Sequence, residues 1–161
     1  MRLGFFMKWL NRIFALVAVF ALVASTVSAV WYDNEYDLEV TAVDVKSDSF
    51  NFYKHWQKAN IGDFVDVRGI VWVDDGGNSP WVEIYTYGKI EGYRNGHWEK
   101  AGDLDYKEST AYPGDSKYVF YNNTFYVDGD FEEYRITFYA GIVGEGREDY
   151  GFAYIDVVES N

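Results

Sequence analysis

From about Leu38 onward, hydrophobic residues recur at every second position, the period of a strand with one face turned to a core. "FVDVRGIVWV" places Val65, Val67, Val71 and Val73 on one parity. "WVEIYTYGKIEGY" carries two interleaved sets, with Val82, Ile84 and Ile90 on one parity and Trp81, Tyr85 and Tyr87 on the other. In "YDLEVTAVDV", Leu38 and Val40 share a face, then Val43 and Val45 do. The change of parity at Thr41-Ala42 predicts a bulge or a strand that changes sheets. "YVFYNNTFYV", "YRITFYAGIV" and "YGFAYIDVV" are further strand patterns, rich in the aromatic and β-branched residues that suit a pleated surface. "GHWEKA" reads as a short strand behind the hairpin signal Asn95-Gly96. The intervening "SDSFNFYKHWQKANIGD" has no clear period and reads as a short helix or an irregular loop.

About seven strands, with Gly, Asn and Asp at the turns and no repeat or linker, predict an all-β fold. The expected architecture is a single immunoglobulin-like antiparallel β-sandwich, with a barrel as the alternative.

The first thirty residues follow a different plan. Arg2, Lys8 and Arg12 precede the apolar run "IFALVAVFALVASTVSAV", and no acid occurs before Asp33. A basic start, an apolar middle and the small-x-small triplet Val27-Ser28-Ala29 are the layout of a secretory signal cleaved after Ala29. The expected division is therefore an apolar signal helix at 1–29 and a β-sandwich domain at 30–161. The alternative is an uncleaved anchor, which would be the chain's only link to a membrane. Either way the basic end stays inside, and the expected location is secreted or on the extracellular face of the envelope.

Charge and cysteine content narrow the partners. The chain has 26 Asp and Glu against 14 Lys and Arg, a net charge of −12. Cleavage after Ala29 would remove three cations and no acid. Such a surface repels phosphate backbones, so a nucleic-acid partner is not expected. With no cysteine, an exported domain cannot be stapled by disulfides and must rely on its core.

Several acidic stretches invite a metal reading. "DDGGNSP" offers Asp74, Asp75 and Asn78, but Gly76, Gly77 and the Asx side chains first make it a hairpin or sheet-crossing turn. "DGDFEE" is the better calcium candidate, because Asp128, Asp130 and Glu132 alternate and Glu133 adds a carboxylate. "DLDYKE", with Asp103, Asp105 and Glu108, is similar. Solvated acidic turns explain all three stretches, so no cofactor is expected and calcium is the one open possibility. His55 and His97 are the only histidines, and neither has the context of a zinc site or a Ser-His-Asp triad. The chain is not expected to be an enzyme.

The aromatic residues suggest a binding face. They make up 20% of the chain, and 15 of them are Tyr. If Val82, Ile84 and Ile90 face the core, then Trp81, Tyr85 and Tyr87, with Glu83 among them, face outward. Such a row suits a protein contact, since Tyr and Trp are favoured at interfaces. It also suits a surface glycan, with Glu83 accepting hydroxyl hydrogen bonds. The sequon Asn122-Asn123-Thr124 lies inside a strand pattern, a poor position for an acceptor.

The order "DLEVTAVDV", "IGDFVDVRGIVWVDDG", "YPGDSKYVFYNNTFYV", "DGDFEEYRITFYAGIV" resembles the CARDB-like domains, named for cell-adhesion-related domains of bacteria, and the wider immunoglobulin-like modules of prokaryotic surface proteins. The likeness covers about residues 36 to 158. It implies a non-catalytic extracellular module for adhesion, assembly or protein binding. A carbohydrate-binding module is the first alternative, and a small exported enzyme or inhibitor the second.

Overall fold

The structure is a computed structural model that describes residues 37–74, 80–114 and 117–159, the side chains of Asn122 and Asn123 excepted. The signal or anchor segment, Asp75 and Asn78 of the glycine turn, and the acceptor side chain of the sequon lie outside the described residues.

Eight strands run in chain order: β1 Leu38–Ser47, β2 Trp56–Asn60, β3 Phe64–Val73, β4 Val82–Arg94, β5 His97–Ala111, β6 Lys117–Tyr126, β7 Glu133–Ile142 and β8 Glu148–Val158. They form a three-stranded sheet ordered β1-β3-β6 and a five-stranded sheet ordered β2-β8-β7-β4-β5. No helix occurs among the described residues. Placing β1, β3 and β6 on one sheet and β8, β7, β4 and β5 on the other gives the A-B-E and G-F-C-C′ order of an immunoglobulin-like sandwich.

Three sequence expectations need correction. The described residues form eight strands, not about seven. The aperiodic "HWQKAN" stretch contains β2, not a helix or loop, and β2 runs parallel to β8, so the sandwich is not wholly antiparallel. β2 lacks a hydrophobic stripe because its inward positions are Gln57 and Ala59, both buried. The strand after Asn95-Gly96 is also 15 residues long, not the six of "GHWEKA". Its buried positions are few, Leu104 and Ala111 among them, so acids and lysines on an edge strand hide the alternation.

The other strands follow their patterns. β1 bulges between Val40 and Ala42, where the parity changes. The β4–β5 hairpin turns at Asn95 (φ 51°) and Gly96 (φ 85°), and positive φ at both central residues defines the type I′ turn. Inward residues from both sheets then meet. Val65, Val67, Val71 and Val73 of β3, Ile84 of β4, and Ile136, Phe138 and Ala140 of β7 are all 0% exposed. Each large side chain buried in this way contributes about 1.5–3 kcal/mol of transfer free energy. Gly69 sets the spacing between the layers at this point. A Cβ there would come within 2.2 Å of the Phe138 ring, which crosses from the other sheet.

Side chains occupy some of the main-chain groups along the sheet edges. Along β2, Ser47 Oγ donates to the Lys58 carbonyl (2.9 Å). The Lys58 amide donates to Gln57 Oε1 (3.1 Å), and the Asn60 amide to Asp63 Oδ2 (2.9 Å). On the opposite side, the Lys107 ammonium of β5 donates to the Tyr121 carbonyl of β6. Main-chain groups occupied in this way cannot template another strand.

Candidate functional site: an aromatic band across the five-stranded sheet

Period two turns Val82 (6% exposed) and Ile84 (0%) into the core and places Trp81, Glu83, Tyr85 and Tyr87 on the outer face. Trp81 is 49% exposed and Glu83 is exposed, while Tyr85 and Tyr87 are half-buried. The two tyrosines are half-buried because neighbouring strands supply more rings in the same rows. The register aligns Tyr87 with Tyr139 of β7, and Tyr139 with Tyr150 of β8.

The rings form a chain across the strands. Tyr106 of β5 stacks on Tyr85 at 5.8 Å between centroids, and Tyr85 stacks on Tyr87 at 6.3 Å. Tyr87 and Tyr139 lie at 4.9 Å and 11°, nearly parallel. Tyr150 tilts against Tyr139 at 5.9 Å, and Phe152 meets Tyr150 edge-on at 5.4 Å. On the same face of β8, Tyr154 contacts Trp56 of the edge strand β2 at 5.9 Å. All five strands contribute, so the band runs from the β5 edge to the β2 edge, roughly 19 Å at the usual strand spacing.

One carboxylate organises its middle. Glu148 accepts hydrogen bonds from the phenols of Tyr85 (2.9 Å to Oε1) and Tyr87 (2.9 Å to Oε2). Burial, and then the hydrogen bond and negative charge of Glu148, push the Tyr87 phenol up from 10.0 to about 12. Tyr85 is raised for the same reasons in the same order. Tyr106 is also raised, first by its 2.7 Å hydrogen bond to Glu108. All three phenols are thus held protonated, donating to acids beside them.

Away from the aromatic row, the same face carries an ion network. Arg135 donates to Glu91 from Nε (3.1 Å) and from a terminal nitrogen (2.8 Å), and lies over the Trp98 ring at 4.7 Å. Burial opposes ionisation of Glu91, yet Arg135 and Lys89 outweigh it and hold the carboxyl below its usual range.

The other sequence candidates are scattered. Asp128 Oδ1 accepts the Asp130 amide (3.0 Å) and the phenol of Tyr134 (2.9 Å), so that carboxylate closes its own turn. Among the described residues, no three His, Asp or Glu side chains are grouped so as to hold a metal ion. Asp130 and Glu132 stand exposed. Asp74 Oδ1 accepts the Asp37 amide (3.1 Å), tying the glycine turn to the start of β1. Asp103 pairs with Lys100 at 2.6 Å. His97 sits 2.7 Å from Glu99, and His55 packs against the Tyr154 ring at 6.0 Å.

Six aromatic members and the central acid, namely Trp56, Tyr106, Tyr139, Tyr150, Phe152, Tyr154 and Glu148, escaped the sequence reading. The alternation in "YRITFYAGIV" does set Tyr139 opposite Phe138 and Ala140. The register that joins it to Tyr87 is a tertiary fact.

No family model and no curated relative matches the chain. Among solved structures, the apo form of the Calx CBD1 domain is similar at 12% identity and a TM-score of 0.34, over 77% of this chain and 98% of that one. A likeness at that level decides nothing about ligand or partner.

Proposed function

We propose that the chain is an exported, non-catalytic immunoglobulin-like module that docks another protein surface on the aromatic band, in the manner of an adhesion or assembly domain. The observation that carries this reading is how the rings are used. Tyr87 and Tyr139 stack at 4.9 Å, and Tyr85 lies nearly parallel to Tyr87 at the longer distance of 6.3 Å. The faces that Tyr87 and Tyr139 turn to each other are therefore occupied, and the phenols of Tyr85 and Tyr87 are held by Glu148. A sugar stacks on an open ring face, whereas a protein surface can pack on ring edges and exchange hydrogen bonds with phenols and acids. The more open rings Tyr106 (59% exposed) and Tyr150 (55%) flank this block and are the expected anchors.

A glycan reading rests on Trp56 (59% exposed) and Trp81 (49%), which lie outside the stacked block. The deciding experiment installs a photo-crosslinking amino acid at Tyr106 or Tyr150 in the producing cells. Tyr121 on the three-stranded sheet, also exposed at 56%, serves as control. Discrete protein adducts from the band positions and not from Tyr121 are expected. Absence of band-specific adducts, together with glycan-array binding lost on Trp56→Ala or Trp81→Ala, would transfer the site to carbohydrate.

A further inference from the structure

We infer that the occupant of the aromatic band is a second copy of this chain, seated face to face across a twofold axis. The inference rests on the reading of the band as a protein-contact face and names the partner.

The band has opposite charge at its two edges. At the β2 edge, Lys54 and Lys58 stand beside Trp56 in a groove of about 490 Å³ that Phe50, Phe52 and the single acid Asp156 also line. This groove is fixed by the fold. Gln57, only 6% exposed, donates from Nε2 to the carbonyls of Phe52 (3.0 Å) and Phe50 (3.5 Å). The Lys54 ammonium lies 4.6 Å over the Phe52 ring. Asp156 is in register with Lys58, yet neither Lys54 nor Lys58 forms an ion pair with a described residue. Toward the β5 edge, Glu83 and Glu108 flank Tyr85 and Tyr106. Both are exposed, and neither forms an ion pair with a described residue. Glu108 accepts only the Tyr106 phenol among the described groups.

A uniformly basic partner would suit Glu83 and Glu108 and oppose the lysines. A uniformly acidic one would do the reverse. A second copy turned through 180° about an axis in the interface satisfies both ends at once. Its Lys54 and Lys58 approach Glu83 and Glu108, and the same contact repeats on the other side of the axis. The aromatic centre, with Tyr139 and Tyr150, then meets its own counterpart. Self-complementarity of this kind is what a twofold interface requires.

Sedimentation of the chain recovered from cells expressing the full sequence tests this. At about 0.15 M salt the Debye length is about 8 Å, so repulsion between the two acidic copies is screened while close pairs persist. Two charge-reversed variants are compared, Lys54→Glu with Lys58→Glu and Glu83→Lys with Glu108→Lys. All four positions are exposed, and an unchanged circular dichroism spectrum confirms the fold. Each variant alone should self-associate at least about tenfold more weakly than the parent, because like charges then face each other at both contacts. An equimolar mixture should recover a one-to-one dimer of near-parental strength. In that pair one contact is reversed in both partners and the other is parental. A parent that stays monomeric to about 1 mM, or a mixture no tighter than either variant, overturns the inference. In that event, Tyr106 or Tyr150 adducts with a different protein leave the contact-face reading standing, and their absence removes both.

Discussion

Gly141 lies beneath the ring of Tyr85: a Cβ at residue 141 would come within 2.4 Å of the phenolic oxygen and 2.5 Å of Cζ. The two residues are cross-strand partners on the outer face. Glycine here provides the space into which the ring folds, and so lets the phenol reach Glu148. Gly141→Ala should therefore lift Tyr85 off the sheet and break that hydrogen bond, at a cost of about 1–3 kcal/mol for overpacking. Urea denaturation measures it. The same substitution in a Tyr85→Ala background should cost less, since the two residues share one contact. Part of the penalty should remain, because the Arg147 carbonyl is also only 2.9 Å from that Cβ. Full additivity would contradict the packing.

The two faces of β4 should separate stability from binding. Ile84→Ala removes a side chain that is 0% exposed and should cost about 2–5 kcal/mol through lost transfer energy and a cavity. Tyr106→Ala and Tyr150→Ala remove rings more than half exposed and should each cost less than about 1 kcal/mol. Tyr85 and Tyr87 should fall between, being stacked and hydrogen-bonded to Glu148. Thermal melts of the five variants settle the order. A Tyr106→Ala penalty equal to that of Ile84→Ala would mean that the band is a second core and not a docking surface.

What could be read in advance depended on how local the determinant was. β3 is legible residue for residue because its inward positions, four valines and Gly69, alternate without interruption. The bulge in β1 is legible because a register slip has to appear as a change of parity. β2 was not, since it carries no apolar stripe and pairs with β8, about a hundred positions further along the chain. The site divides the same way. Tyr85 and Tyr87 lie on one strand, and their common face follows from spacing. Tyr106, Tyr139 and Tyr150 join them only through the pairing of β4 with β5 and of β7 with its two neighbours. Glu148 sits in the polar "GEGREDYG" stretch, where nothing local distinguishes it from Glu145.

Asp128 should matter for folding whether or not calcium is present. Its Oδ1 accepts the phenol of Tyr134, a ring only 2% exposed, as well as a turn amide. Asp128→Ala leaves that phenol without its acceptor and should cost about 1–3 kcal/mol. The penalty should be equal in EDTA and in millimolar calcium, because the carboxylate is engaged by protein donors. Melting temperatures of parent and variant in both buffers check this. A calcium-dependent rise in the parent that is absent from the variant would favour the metal reading of Asp128, Asp130 and Glu132.

The Tyr87 phenol is one of several raised tyrosines that make the fold sensitive to alkali. Its proton is held to about 12 in the folded chain, against 10.0 for a free tyrosine, by burial first and by Glu148 second. Between those values the unfolded chain has released the proton and the folded chain has kept it. Raising the pH therefore favours unfolding. The stabilisation is fully present below pH 10 and is lost as the pH climbs toward 12. Denaturation midpoints measured from pH 9 to 12 should fall, and Tyr87→Phe should flatten part of that fall because nothing then titrates at this position. Phenolate absorbance provides a second readout, with Tyr87 ionising after an unshifted tyrosine. Glu148→Gln should bring its titration down only part of the way, since neutralising the acid removes the repulsion and leaves the burial. If Glu148→Gln restored an ordinary tyrosine titration, charge and not burial would be the main cause. If it left the titration unchanged, the hydrogen bonds from Tyr85 and Tyr87 to this carboxylate would not persist in solution.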